Sequence, residues 1–175
     1  MELRPLRPAD DRSKFRSGDP DLDSFFEKFA GQNQFRHHLG TTYVAAEDGI
    51  ILGFATVSPG HVEVGQLPPD SRIKVPRYPL PVLRLARLAV DRVAQGQGLG
   101  ATLLRFVLQM SIKMASDYGC VGVVVDAKPE ALEFYLKFGF VRIELVEGQS
   151  DARPSPTALF LSLRAIKKAL LTGPA

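Results

Sequence analysis

One short run constrains this chain more than any other: Gln95-Gly96-Gln97-Gly98-Leu99-Gly100, set between a strand-like Leu88-Ala89-Val90 and a long helical pattern. A strand, a glycine-rich turn and a helix in that order make a way of holding phosphate. The first turn of a helix carries N–H groups without partners and the positive end of the helix dipole. Glycines let that backbone approach an anion closely. From Leu99 to Asp117, the residues Leu99, Leu103, Phe106, Val107, Met110 and Met114 share one face, and Gly119 follows as a cap.

The rest of the chain arranges itself around that loop. Glu2 to Leu6 reads as a short strand. Asp19-Pro20 opens a helix whose apolar face is Leu22, Phe25, Phe26, Phe29 and Ala30. Thr42–Ala46 and Ile50–Ser58 are strands joined at Asp48-Gly49, a two-residue hairpin signal. His61 to Gly65 is expected to add a further short strand. Pro68 to Pro81, with prolines at 68, 69, 76, 79 and 81, is expected to be a surface loop. Val82–Val90 is a strand, as is the valine run Val121–Val125. Pro129–Phe138 is a short helix closed by Gly139, Phe140–Val146 and Thr157–Leu163 are strands, and the tail is helical or frayed. An antiparallel front half followed by strand–helix–strand–helix–strand implies a mixed α/β sheet.

At 175 residues with 45% hydrophobic and 23% charged residues, the chain is expected to be one globular domain, 1–175. A single cysteine, Cys120, fits a reducing cytoplasm better than a disulfide scaffold, and it reads as inert core. There is no apolar run of the ~20 residues that a membrane span needs, and the N-terminus has no signal-peptide core. Three histidines and one cysteine form no metal-ligand cluster at recognisable spacing. Ser111 and Ser116 have no partnering motif for nucleophilic chemistry. The net charge is only +3, but it is uneven. Arg4, Arg7, Arg12, Lys14 and Arg16 form one basic group; Arg72, Lys74, Arg77, Arg84, Arg87 and Arg92 form another. These are either solvated faces or a surface for polyanions such as cofactor phosphates or RNA. His37 and His38, beside Arg36, could also meet phosphates.

Two ligands compete for the loop. Gly96-x-Gly98-x-x-Ala101 matches a dinucleotide fingerprint, with Asp126 as a ribose partner. That fingerprint normally follows the first strand of its fold, whereas here about 90 residues precede it. The better match is Gln95-x-x-Gly98-x-Gly100, supported by Arg87-Leu88-Ala89-Val90-Asp91 before it and by Ala131-x-x-Phe134-Tyr135-x-x-x-Gly139-Phe140 after it. Together these blocks resemble the GNAT superfamily of N-acetyltransferases over the whole chain. A narrower resemblance rests on Phe15-x-Ser17-Gly18-Asp19-x-x-Leu22-Asp23-x-Phe25-Phe26 and on Pro76-Arg77-Tyr78-Pro79-x-Pro81. Those blocks are similar to GNAT toxins of toxin–antitoxin pairs, members of which acetylate the amino group of aminoacyl-tRNA.

The resemblance implies a GNAT fold: a mixed, mostly antiparallel sheet with flanking helices and a splayed fourth strand. It implies acetyl-CoA as co-substrate, no metal, and an antitoxin and a second copy of the chain as partners. The cofactor would lie along Leu88, Ala89 and Val90, with the backbone of Leu88 and Val90 pairing with the pantetheine arm. Backbone N–H groups of Gly96, Gln97, Gly98, Leu99 and Gly100, with Ala101 behind them, would hold the pyrophosphate, and Gln95 would shape the turn. The N–H of Val90 would meet the oxyanion. Tyr135 would be the general acid, because a phenol with a pKa near 10 stays protonated until a thiolate needs the proton. Tyr78 is expected near the acceptor. Lys128-Pro129 departs from the family, many members of which carry Asn there. No general base stands out; an α-amine with a pKa of about 7.7–8.0 is already partly neutral. Other readings are transfer to a small amine or a protein N-terminus, and an acyl-CoA sensor without turnover.

Overall fold

The computed structural model describes residues 1–72, 79–144 and 156–172. β1 (Glu2–Pro5) leads to α1 (Pro20–Ser24), which continues as two π-helical turns, Phe25–Phe29 and Gln32–Arg36. β2 (Thr41–Glu47), β3 (Ile50–Val62), α2 (Pro69–Arg72) and β4 (Leu80–Val90) follow. Then come α3 (Leu99–Asp117), β5 (Gly122–Ala127), α4 (Leu132–Lys137), β6 (Val141–Arg142), β7 (Thr157–Ser162) and α5 (Leu163–Thr172). The strands form one mostly antiparallel sheet in the order β1-β2-β3-β4-β5-β7-β6. This is the mixed α/β architecture expected.

The chain divides into two compact units. The first comprises Met1–Ser58 and Leu85–Val107. Its hairpin turns at Asp48 (φ 51°) and Gly49 (φ 78°), both left-handed, which matches the twist of the strands it joins. Asp19 caps α1 by accepting from the N–H groups of Asp21 at 2.9 Å and Leu22 at 3.3 Å. That directs Phe25 and Phe26 inward. Phe26 stacks on Phe54 with ring centres 4.3 Å apart, and Phe15 meets both edge-on at 5.1 and 5.4 Å. Phe26 and Phe54 have no exposed surface, and each buried ring contributes about 1.5–3 kcal/mol. A second cluster, Ala45, Ala94, Leu99 and Leu103, seats the start of α3. Gly53 makes this possible, since a Cβ there would stand 2.8 Å from Leu103 Cδ1 and 3.2 Å from the Ala89 carbonyl.

The second unit comprises Pro59–Arg84 and the chain from Leu108 onward. β5 and β7 pair from Gly122↔Ser162 to Ala127↔Thr157. Val62, Leu67, Leu80, Val82, Val124 and Phe160 form its core.

Several expectations change. His61–Gly65 is not a separate strand: β3 runs unbroken to Val62, and Val64–Gln66 is a 3-10 turn. Pro59 is tolerated because pairing with β2 ends at Val57, so its missing N–H costs no bond on that side. The proline segment contains the helical turn α2 and the first residues of β4; its residues 73–78, including Lys74, Pro76, Arg77 and Tyr78, lie outside the described residues. Phe140–Val146 shrinks to the two-residue β6 within the described residues. The first helix changes from α to π winding at Phe25, and the tail is an ordered helix to Thr172.

Candidate active site

The loop after β4 is built by polar side chains on either side of bare backbone. Asp91 caps a 3-10 turn, Arg92–Ala94, by accepting from the Val93 N–H at 3.0 Å. Gln95 Nε2 donates to the Val90 carbonyl at 2.8 Å and to the Ser17 carbonyl at 2.7 Å. Among the described residues, Gln97 Nε2 reaches only the Val93 carbonyl, at 3.4 Å. Gly96 (φ 76°) and Gly98 (φ 84°) are left-handed, a conformation that other residues adopt at a cost. A Cβ on either would meet nothing within 4 Å, so what fixes glycine here is backbone angle rather than crowding. The Gly98 carbonyl begins α3 by accepting from Thr102 N and Oγ1 at 3.0 and 3.1 Å. The N–H groups of Leu99, Gly100 and Ala101 therefore have no partner within the helix. They and the dipole make a site for an anion.

The side chains expected at the cofactor behave differently from one another. Ala89, Leu99 and Ala101 are buried, and Leu88 and Val90 pack partly against the cluster beneath α3. What these residues can offer a ligand is main chain. Gly96, Gln97 and Gly98 are exposed.

In the second unit, Tyr135 sits in α4 with its ring edge-on to Phe134 at 5.0 Å and Phe140 at 5.5 Å. It is 5% exposed, and burial pushes its phenol well above the ordinary value. Gly139 (φ 99°) ends α4, its N–H donating to the Leu136 carbonyl at 3.0 Å while Phe138 and Phe140 donate to Tyr135 O. Lys128 precedes this helix at the start of a 3-10 turn.

The basic groups are largely spent within the protein. Arg4 makes two bonds to Asp10, at 2.8 and 2.9 Å, which hold that carboxyl below its usual range. Arg12 donates to the Phe26 carbonyl, and Arg16 to those of Ser13 and Phe15. Arg72 donates to Leu67 and Gly65, and the Arg87 guanidinium lies 3.7 Å over the Phe25 ring. Arg84 pairs with Asp126, so the carboxylate weighed as a ribose partner already has a cation. Among the described residues no group of three or more His, Cys, Asp or Glu could hold a metal, and no helix is long and apolar enough to cross a membrane. Cys120 is buried, which raises its thiol, and its Sγ donates to the Gly122 carbonyl. Sequence reasoning missed the tie between loop and N-terminal segment. Arg16 and Asp91 are 75 residues apart, and the only signal was the Ser17-Gly18-Asp19 block.

Known proteins bear on this geometry. A family model described as an acetyltransferase (GNAT) domain matches residues 38–142, more than half of the chain. A tRNA-acetylating toxin of Mycobacterium tuberculosis (strain ATCC 25618 / H37Rv) is 38% identical over 140 residues, 78% of this chain and 82% of the relative. AtaT complexed with acetyl-methionyl-tRNAfMet is similar in structure, with TM-score 0.82 and 28% identity over 98% of this chain and 99% of that one. AtaTR bound with acetyl-CoA has TM-score 0.77 and 28% identity, covering 98% of each chain. The phosphate-type loop, the mostly antiparallel sheet and these matches agree, and this chain belongs to the GNAT acetyltransferase family.

Proposed function

We propose that this enzyme transfers the acetyl group of acetyl-CoA to the α-amino group of aminoacyl-tRNA, as a toxin held in check by an antitoxin. The observation that carries this reading is the 38% identity to a tRNA-acetylating toxin across most of both chains. The chain 1–175 acts as one catalytic domain, in the cytoplasm where charged tRNA is found, and as a homodimer. The exposed face Lys28, Phe29, Gln32, Phe35, Arg36 and His37 offers rings for base stacking and cations for phosphate.

In this reading the loop N–H groups from Gly96 to Gly100 take the pyrophosphate, while the main chain of Leu88 to Val90 aligns the pantetheine arm. The neutral amine attacks the thioester carbon, forming a C–N bond. The Val90 N–H stabilises the oxyanion. As the C–S bond breaks, the sulfur takes the proton of Tyr135, and the proton lost by the ammonium passes through water to the tyrosinate, which restores the phenol. A buried phenol is a weaker acid, but the same dry surroundings penalise a thiolate, so the two remain matched.

The test incubates the purified protein with labelled acetyl-CoA and charged tRNA, beside uncharged tRNA and a panel of free amines. Label on charged tRNA alone supports the proposal. Label on free amines or protein N-termini overturns the acceptor, and tight acetyl-CoA binding with no transfer favours a sensor.

A further inference from the structure

We infer that residues Arg16–Asp23 form a clamp that sets the position of the glycine loop for acetyl-CoA, with Asp91 as its hub. The inference rests on the reading that this loop holds the pyrophosphate. Asp91 divides its carboxylate between the two segments. One oxygen accepts from the Val93 N–H within the loop turn, and the other from the Arg16 N–H, each at 3.0 Å. The Arg92 N–H returns a bond to the Arg16 carbonyl at 2.8 Å. One residue further on, the Ser17 carbonyl takes the 2.7 Å bond from Gln95 Nε2. Three bonds thus tie two successive residues of the N-terminal segment to both ends of the turn leading into Gly96.

The segment is itself fastened. Ser17 N and Oγ both donate to Asp23 Oδ1, at 2.9 and 2.7 Å. Asp23 lies in α1, two and three residues before Phe25 and Phe26, which are fixed in the aromatic core. Gly18 makes the crossing with φ 99°, and the Arg92 guanidinium lies against it, its Nε 3.3 Å from where a Cβ would stand. The path runs from core ring to Asp23, to Ser17, to Gln95 and the loop.

The loop needs such a support. A Cβ at Gly96 or Gly98 would meet nothing within 4 Å, so no neighbouring side chain packs there to define the backbone. Glycine backbone left to itself samples many conformations. Bonds to a carboxylate are about twice as strong as neutral ones, which suits Asp91 to this task. Its charge would oppose an anion nearby, but both oxygens are occupied by N–H donors. Asp91, Ser17 and Asp23 are therefore positioning residues: they touch the loop or its support, and only the loop touches phosphate.

Calorimetry on Asp91→Ala tests this with two donors: acetyl-CoA directly, and S-acetylpantetheine, which lacks the pyrophosphate, by competition. Asp91→Ala is expected to raise the Kd for acetyl-CoA about tenfold, the cost of a lost bond to a charged group. The Kd for S-acetylpantetheine is expected to change less than about twofold, since no phosphate is involved. Asp91→Asn, which keeps one acceptor oxygen, recovers part of the loss. Should Asp91→Ala not fold, Asp23→Ala, which removes the oxygen that takes both Ser17 bonds, carries the same test from the far end of the path. Unchanged acetyl-CoA affinity overturns the clamp, and equal weakening of both donors reduces it to general stability. If the wild-type protein binds the two donors equally, the pyrophosphate reading beneath it fails instead.

Discussion

In the proposed mechanism the glycine loop and the surroundings of Tyr135 contribute in opposite ways. In the loop, Gly96 to Gly98 are exposed, and side chains such as Gln95 and Asp91 hold the turn by bonds to its main chain. Around Tyr135, the proposed acid is one side chain, buried against the rings of Phe134 and Phe140. The loop tolerates changes of side chain so long as backbone angles survive. As the proposed acid, the tyrosine is expected to tolerate almost no change in its one oxygen. Binding should therefore answer to the loop and turnover to Tyr135.

The sharpest way to break that division is Tyr135→Phe. It removes only the hydroxyl, and kcat is expected to fall about 10²–10⁴-fold, the range of a lost general acid. The acetyl-CoA Kd, read by calorimetry, should not move. An equal loss in Kd would merge the two regions into one. The same variant has a pH signature. The folded protein keeps the Tyr135 proton to higher pH than the unfolded chain does, because burial raises its phenol. Its contribution is fully present below the ordinary phenol value of about 10 and is lost as pH rises past it. Urea midpoints at pH 8 and above pH 10 should thus fall further for wild type than for Tyr135→Phe.

Gly98→Ala tests the loop from the other side. A methyl group there collides with nothing, so the effect comes from forcing a left-handed angle on alanine. At about 1–2 kcal/mol this corresponds to roughly a tenfold rise in the acetyl-CoA Kd. The kcat at saturating donor should stay near wild type. Gly53→Ala is the crowding counterpart. Its Cβ would press on Leu103 and the Ala89 carbonyl, so it acts on the seat of α3. Overpacking of about 1–3 kcal/mol lowers Tm by roughly 2–12 °C in a chain of this size. Thermal melts of the two glycine variants should show the opposite ranking from their affinities.

The loop was legible in the sequence because glycine spacing reports backbone conformation directly, and α3 because its apolar face repeats at helical spacing. The place of Tyr135 on the helix after β5 was legible, but the extent of its burial was not, since Phe140 reaches it through the turn at Gly139. β3 was misread at Pro59-Gly60 because local breakers say nothing about where the partner strand stops. The charges were read as surface, yet Arg4, Arg12, Arg16, Arg84 and Arg87 each found a partner within the fold. Those partners are Asp10, the carbonyls of Phe26 and Phe15, Asp126 and the Phe25 ring. A charge shows in one residue, whereas its partner is set by tertiary packing.

Gln95 and Gln97 make the finest version of the comparison, because they flank one glycine and look alike in sequence. Gln95 bridges Val90 and Ser17 with two short bonds, joining strand, loop and N-terminal segment. Among the described residues Gln97 has one side-chain bond, at 3.4 Å, back to Val93 within the same turn, and no tie to another segment. A long bond at an exposed site competes with water on nearly equal terms. Gln97→Ala should change the acetyl-CoA Kd by less than about twofold, while Gln95→Ala should weaken it several-fold, by the net worth of two hydrogen bonds. Both measurements use the same titration. If Gln97→Ala costs as much as Gln95→Ala, the two side chains act by touching the ligand, and the support from behind the loop loses its argument. If only Gln95→Ala costs affinity, the main chain does the binding and its position is set by what lies beneath it.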